Sequence, residues 1–498
     1  MKSLTKRAKT ILTTLAVVTA TVSLLWLVAI RTNIISNLDC QYITSGNAHY
    51  SNKQYKLALA EYTIAIAVNP SCVGAYVNRG LSFEQLGQYE LAIKDYSKAL
   101  EMDPSNKTAY LYRGNSYNNL EETDLALADF DNAIKLDQNY SDSHVWRGLT
   151  YQSQGQYDLA VEEYKKAIEI DPTNKFGHNN LGTVFFILGK YDLALLEYTK
   201  ALEIDPLYAE ARLGRGNIFQ VKEQYESALL EYEEAFTINP NYKEAYYSRA
   251  VVYSKVGEFD LQIKEDSEAI RVDPKYKEAY LDRGNAYYAQ GKYDLALSDY
   301  NKAVKIDKNY AAAYYSRGLV YGKKDEYKSA IAEYGKTINL DSNFRNAYLN
   351  RGVIYLKQEN YDLAIVDFDR IIEIFPNDKG AYINRGELHR QQKNFELAMA
   401  DLNKAIELDP NEAISYSGRG LVYYDMEKLR EAIEEFKKSI ALKQDAQAYC
   451  FIGNSYMRLN EFSTALPFLE QGIELDKSNN IQWCRDNLDN IKKQMSSP

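Results

Sequence analysis

From Asp39 to about residue 479, apolar residues recur at the three- and four-residue spacing of an amphipathic helix, and the whole pattern returns every 34 residues. Residues 277–310, KEAYLDRGNAYYAQGKYDLALSDYNKAVKIDKNY, show the unit, and residues 73–106, VGAYVNRGLSFEQLGQYELAIKDYSKALEMDPSN, show it again. Counting each unit from residue 39, 73, 107 and so on, positions 2–14 predict one helix. A turn often carrying glycine follows (Gly87, Gly155, Gly189, Gly257, Gly291), and positions 17–31 predict a second helix. Eight of the ten prolines fall at position 32, where they stop that helix. Each helix is about 20 Å long at 1.5 Å per residue. A single hairpin cannot bury its apolar stripe, so neighbours must stack.

The invariant positions say how the two helices meet. Position 8 is small in all thirteen units, glycine everywhere except Ala250, and position 20 is alanine everywhere except Gln262. Small residues there remove bulk where the helices cross, and aromatics at positions 11, 17 and 24, such as Tyr287, Tyr293 and Tyr300, fill the remaining space. Ten units carry arginine at position 7 and an acid at position 23, for example Arg283 with Asp299; the last unit changes both together, to Ile452 and Phe468. The covariation predicts an ion pair between the helices of each hairpin. The fifth unit departs from it, with Leu181 opposite Glu197. The competing use of these arginines is a basic ladder in the binding groove.

This pattern resembles the tetratricopeptide repeat, a 34-residue helix–turn–helix, over roughly residues 39–479. The resemblance implies an all-α solenoid of about thirteen repeats, twisted into a right-handed superhelix. Its first helices would line a concave groove through positions 2, 5, 6, 9, 12 and 13. One use of that groove in the family is a two-carboxylate clamp, with Lys at position 5 and Asn at position 9. Position 5 here runs through residues such as Val77, Asn179 and Cys450 and is never Lys, so the clamp is not expected. Tyr112, Trp146, Phe176 and Phe186, with Asn179 and Asn180 between them, fall at groove positions of units three to five and form the candidate peptide-binding site. The alternative is that some of these rings pack under neighbouring helices.

Outside the repeats the chain divides into a basic segment (1–9), an uncharged apolar stretch (10–30), a linker (31–38) and a polar terminal helix (480–498) that caps the last hairpin. Residues 10–30, TILTTLAVVTATVSLLWLVAI, are long enough to cross a bilayer as a helix. Four bases precede the stretch and Arg31 follows it, which predicts a single-pass anchor with a cytoplasmic N-terminus and the repeats on the other side. A cleaved secretory signal is the other reading of this stretch. The rest of the chain has 54 bases against 69 acids, a net −15, which disfavours nucleic acid and anionic lipid as partners.

The four cysteines lie at the two ends, Cys40 with Cys72 and Cys450 with Cys484, either as disulfide staples of the terminal units or as buried thiols. The four histidines are scattered, no nucleotide-binding or hydrolase motif occurs, and no segment outside the repeats is long enough for a catalytic domain. No catalytic residue, metal or cofactor is expected. The reading is a membrane-anchored scaffold that binds proteins or peptides, with a chaperone-like carrier or the regulatory subunit of a separate enzyme as alternatives.

Overall fold

The computed structural model describes residues 35–477 and 481–496, with side chains from residue 41 to residue 494. All the regular structure among the described residues is α-helix, in twenty-seven segments. The chain forms two bodies, 1–252 and 253–498, and the boundary falls inside the helix Lys243–Lys255 of unit seven. Within each body the two helices of a unit pack on each other, and the second packs on the first helix of the following unit. First helices run from position 1 to 13 and second helices from 17 to 30, as in Lys277–Ala289 and Tyr293–Ile306. The first helix of unit one begins earlier, at Ile35, inside the segment read as a linker. The apolar stretch 10–30 lies outside the described residues. Among the described residues no helix is long and apolar enough to cross a membrane.

The turn between the helices is the same in every unit. Position 15 has positive φ thirteen times out of thirteen, five times in glycine and eight times in other residues, such as Glu359 at 60° and Asn460 at 62°. The N–H of position 16 then donates to the carbonyl of position 11, as in Lys292 to Tyr287 at 2.8 Å and Asn360 to Tyr355 at 2.9 Å. This closes the first helix with its last carbonyls satisfied. The hydrogen bonds hold the left-handed residue even where glycine is absent, which is why only five turns announce themselves in the sequence.

Proline is likewise dispensable at the other end. Units three, eight and nine have no proline at position 32, yet their second helices stop at Leu136, Ile306 and Leu340, position 30 as elsewhere. The stop is made by aspartate at position 31, whose carboxylate accepts the N–H two residues on: Asn139 to Asp137 at 2.9 Å, Asn309 to Asp307 at 2.8 Å, Asn343 to Asp341 at 2.9 Å. Such a side-chain turn competes with continuation of the helix.

The core of most hairpins is a ring laid over a glycine; units eleven and thirteen have Leu402 and Leu469 in the ring's place. Tyr96, Phe130, Tyr164, Tyr232, Tyr300 and Phe368 at position 24 are fully buried, and the alanine at position 20 is fully buried with them. A Cβ built on the facing glycine would fall 2.6 Å from the Tyr96 ring at Gly80 and 2.5 Å from the Tyr300 ring at Gly284. Glycine at position 8 is therefore required by the ring, not by backbone conformation.

Unit seven breaks this core. Its second helix has Gln262 for the alanine and Asp266 for the ring, both buried. Gln262 donates to the backbone carbonyl of Asp282, 2.9 Å away, while neither carboxyl oxygen of Asp266 has a hydrogen bond of good geometry. Burial, and then the neighbouring Asp282, push the Asp266 carboxyl up to about 9. An unfolded aspartate loses its proton near pH 4. Between these values the folded chain holds the extra proton, so stability falls as pH rises from about 4 toward 9. The expected result is that wild type loses more thermal stability than Asp266→Asn between pH 6 and pH 9. Parallel melting by circular dichroism checks this; equal losses would contradict it.

The predicted ion pairs form in at least nine of the ten units. Arg283 is representative: Nε and Nη2 grip Asp299 at 2.7 and 2.8 Å, and Nη1 reaches Ser267 on the preceding second helix at 2.9 Å. Arg113 holds Asp129 and Ser97 in the same way, and Arg419 holds Glu435 and Asn403. The guanidinium of Arg283 also lies 5.6 Å from the Tyr280 ring centroid. The arginines therefore lock register within a hairpin and to its neighbour, and do not form a basic ladder in the groove. Unit five keeps its acid because other partners replace the arginine: His178 Nδ1 lies 2.6 Å from Glu197, and Lys200 donates to it at 2.9 Å. Burial works to raise the Glu197 carboxyl, but the hydrogen bonds from His178 and Lys200 outweigh it and hold it below its ordinary range.

At the C-terminal end, Cys450 and Cys484 form a disulfide that ties the helix Gln482–Ser496 to the first helix of unit thirteen. Their Cα atoms are 5.7 Å apart, within bridging range even though they occupy equivalent places on successive first helices. Gly472 lies against the Cys450 sulfur, where a side chain would collide. Cys72 is a free thiol, and the side chain of Cys40 lies outside the described residues.

Candidate functional site

Groove positions 9, 12 and 13 fall on one face of a helix because they are three and four residues apart. In unit three they are Asn115, Asn118 and Asn119; in unit four, Leu149, Gln152 and Ser153. The two rows sit side by side and, with Trp146, Tyr157 and Ile187, line a cleft of about 400 Å³. The helices beneath are firmly placed. Asn106 caps the first helix of unit three by accepting from the Ala109 N–H at 3.0 Å, and Arg113 and Arg147 pin the two hairpins through their acids.

None of the nine lining residues is charged. Asn115 is spent on the fold: it donates to Glu84 at 2.5 Å, and Glu84 also accepts from the Tyr96 hydroxyl at 2.9 Å. Burial keeps the Glu84 carboxyl above its usual range in spite of these hydrogen bonds. Gln152 uses only its oxygen, accepting from Tyr164 at 2.8 Å, which leaves its amide hydrogens open to the cleft. Asn118 makes no side-chain hydrogen bond among the described residues. The cleft thus offers an aromatic and aliphatic floor from Trp146, Leu149 and Ile187, rimmed by amides that can both donate and accept. Such a set suits the backbone of an extended peptide with one apolar side chain, and gives a charged tail no partner.

Of the six residues singled out from sequence, Trp146 alone lines this cleft. Tyr112 is half-buried and stacks on Tyr96 with centroids 6.2 Å apart. Phe186 packs on Tyr191 at 5.6 Å against the core of units four and five. Phe176 is half exposed but lies edge-on to Tyr208 at 5.8 Å, at the end of its helix. Asn179 is buried and turned toward Asn180, 3.3 Å away. The readable signal is the amide run at positions 9, 12 and 13, more than the aromatics at 2, 6 and 12.

A second cleft, of about 450 Å³, opens among the first helices of units eleven to thirteen, where Ser417 and Gly418 replace larger groove residues. Its floor is Ile383, Leu402, Ile414 and Leu421. Its acids are already matched: Glu387 receives Arg390 at 2.7 Å, and Asp445 caps the next helix through the Ala448 N–H at 2.8 Å. Among the described residues, no group of three or more His, Cys, Asp or Glu side chains is placed to hold a metal.

Comparison with known families settles what the hairpins are. A TPR-repeat model matches residues 151–186, 182–222, 221–257, 284–325 and 386–427. Three tetratricopeptide-repeat models match 73–106 and 346–378, 130–162, and 311–344, 413–445 and 446–479. The chain is a tetratricopeptide-repeat protein. The tetratricopeptide array is similar to several solved structures. An APC/C hetero-tetramer, Cut9–Hcn1, is 16% identical over 95% of this chain and 99% of its own, with a TM-score of 0.46. YrrB, described as a TPR protein with an unusual peptide-binding site, is 27% identical over 38% of this chain and 96% of its own, with a TM-score of 0.32. MamA is 28% identical over 32% and 94%, with a TM-score of 0.30. No curated protein matches the chain.

Proposed function

We propose that this tetratricopeptide array is a protein-interaction scaffold that holds an extended, uncharged stretch of a partner protein in the cleft of units three to five, and that residues 10–30 tether it to a membrane with the repeats on the non-cytoplasmic side. The observation that carries the binding role is the composition of the cleft: an apolar floor under Trp146, with the Asn118 amide and the Gln152 amide hydrogens unclaimed by the fold. Amides in that state are desolvated at little cost by a peptide backbone, because each hydrogen bond to water is exchanged for one to the ligand. The tether rests on the uncharged length of residues 10–30 and the bases that flank it. Many of the buried acids are used by the repeat fold itself, in inter-helix pairs such as Arg283 with Asp299.

The test is capture of partners by the full chain in mild detergent, quantified by mass spectrometry, for wild type, Trp146→Ala and Asn118→Ala. A scaffold returns a few defined proteins. Loss of the indole at the centre of a desolvated site should weaken retention by about 10- to 30-fold, which corresponds to roughly 2 kcal/mol. Wild-type retention by both variants would remove the cleft from the account, and an indiscriminate catch of many unfolded chains would favour the carrier role instead.

A further inference from the structure

Position 19, on the second helix, carries a stripe that neither the core nor the groove uses. In units one to five it is Leu57, Leu91, Leu125, Leu159 and Leu193, and these are 51, 46, 48, 44 and 46% exposed. Single exposed leucines are ordinary. Five in identical register, one per hairpin within one body, form a row with nothing over it. In units two to five an exposed acid precedes the leucine, at Glu90, Asp124, Asp158 and Asp192. The acid sits in the first turn of its helix, where the macrodipole favours it, but the dipole gives no reason for the leucine. Lys222 of unit six reaches back to Asp192 at 2.6 Å, which shows that the turn of one unit abuts this edge of the unit before it. Glu90, Asp124 and Asp158 form no ion pair among the described residues.

We infer that this edge of units one to five docks a basic amphipathic segment of a partner protein, with apolar side chains seated on the leucines and Lys or Arg side chains against Glu90, Asp124 and Asp158. The choice of occupant follows from charge. A second copy of the chain would bring the same acids together, and like charges across an interface are disfavoured. A neutral segment would leave three carboxylates partly desolvated with no counter-charge. A cationic one completes each acid–leucine step, and its apolar residues exclude water from the pairs. The row shares no residue with the cleft at Trp146, although Tyr157 of that cleft directly precedes Asp158 in the chain.

The test uses the full chain in nanodiscs of zwitterionic lipid and a fluorescent twenty-residue helical peptide of lysine and leucine with one apolar face; the same peptide with leucines changed to serine reports bare charge attraction. Fluorescence anisotropy at 150 mM salt should show the lysine–leucine peptide bound at least tenfold more tightly than its serine counterpart. Leu91→Ser/Leu125→Ser/Leu159→Ser should lose at least tenfold of that affinity, and Glu90→Gln/Asp124→Asn/Asp158→Asn should lose both affinity and its salt dependence. Trp146→Ala should bind as wild type. Circular dichroism confirms folding of each variant, and the acid variant, which alters no apolar contact, stands in if the leucine variant is unstable. Equal binding by wild type and the acid variant, or equal binding of the two peptides, would overturn the proposal. So would a dimer in sedimentation that the leucine variant abolishes, since the occupant would then be a second copy.

Discussion

Gly284→Ala should destabilise its hairpin by about 2 kcal/mol, although alanine is the better helix former by about 1 kcal/mol. The added Cβ would stand 2.5 Å from Cε1 of Tyr300. That ring has nowhere to go: it is 1% exposed, and its hydroxyl donates to Asn285 at 2.9 Å. Overpacking of this kind typically costs 1–3 kcal/mol and here exceeds the propensity gain. Unit eleven supplies the internal control. There Gly386 faces Leu402, and a Cβ would lie 3.1 Å from the leucine Cγ. A leucine can shift by a few tenths of an ångström, so Gly386→Ala should be close to neutral. Hydrogen exchange over 277–306 and 379–408 separates the two. The first should lose protection by more than tenfold and the second should not. Equal losses would mean that the ring-on-glycine contact is not what holds position 8 small.

Arg283→Met is the second large effect, at roughly 3 kcal/mol. It strands the Asp299 carboxylate, whose side chain is 6% exposed, and removes the link to Ser267 on the preceding unit. Breaking a buried pair from one side costs about 3–5 kcal/mol; the 19% exposure of the arginine places this case at the low end. The double replacement Arg283→Leu/Asp299→Leu should recover most of the loss, because no charge is then left alone. Unit thirteen already has that arrangement, with Ile452 fully buried and Phe468 packed beside it. Urea unfolding of the two variants decides it. A double variant as unstable as the single one would show that the pairs supply stability themselves and do not chiefly fix register.

Much of this was readable in the chain because the repeat samples one geometry thirteen times. Glycine at 8, alanine at 20 and the arginine–acid covariation each encode a contact between the two helices, and each is found. What the sequence hid is what hydrogen bonds decide without a residue signature. The left-handed turn at Glu359 or Asn460 is imposed by the bond from position 16 to position 11, and the helix stop at Asp137 by its side chain. The exception at Leu181 was visible, but the substitution of His178 and Lys200 for its arginine needed three dimensions. The same holds for the candidate site. Aromatic residues mark units three to five in the sequence, yet Tyr112 and Phe186 sit in core packing that their positions in the repeat do not reveal. The amides at positions 9, 12 and 13 share a helical face, but no single one is distinctive in the sequence. Asp266, the one acid at the ring position, is legible at position 24.

The central proposal is that a partner lies in the cleft of units three to five. A photoreactive phenylalanine placed at Ile187, which lines the cleft, and separately at Glu169, which is exposed on the second helix of unit four, tests this in the full chain. Irradiation should give a discrete cross-linked species from position 187 and none from 169. Adducts from 169 alone, or equally from both, would contradict it.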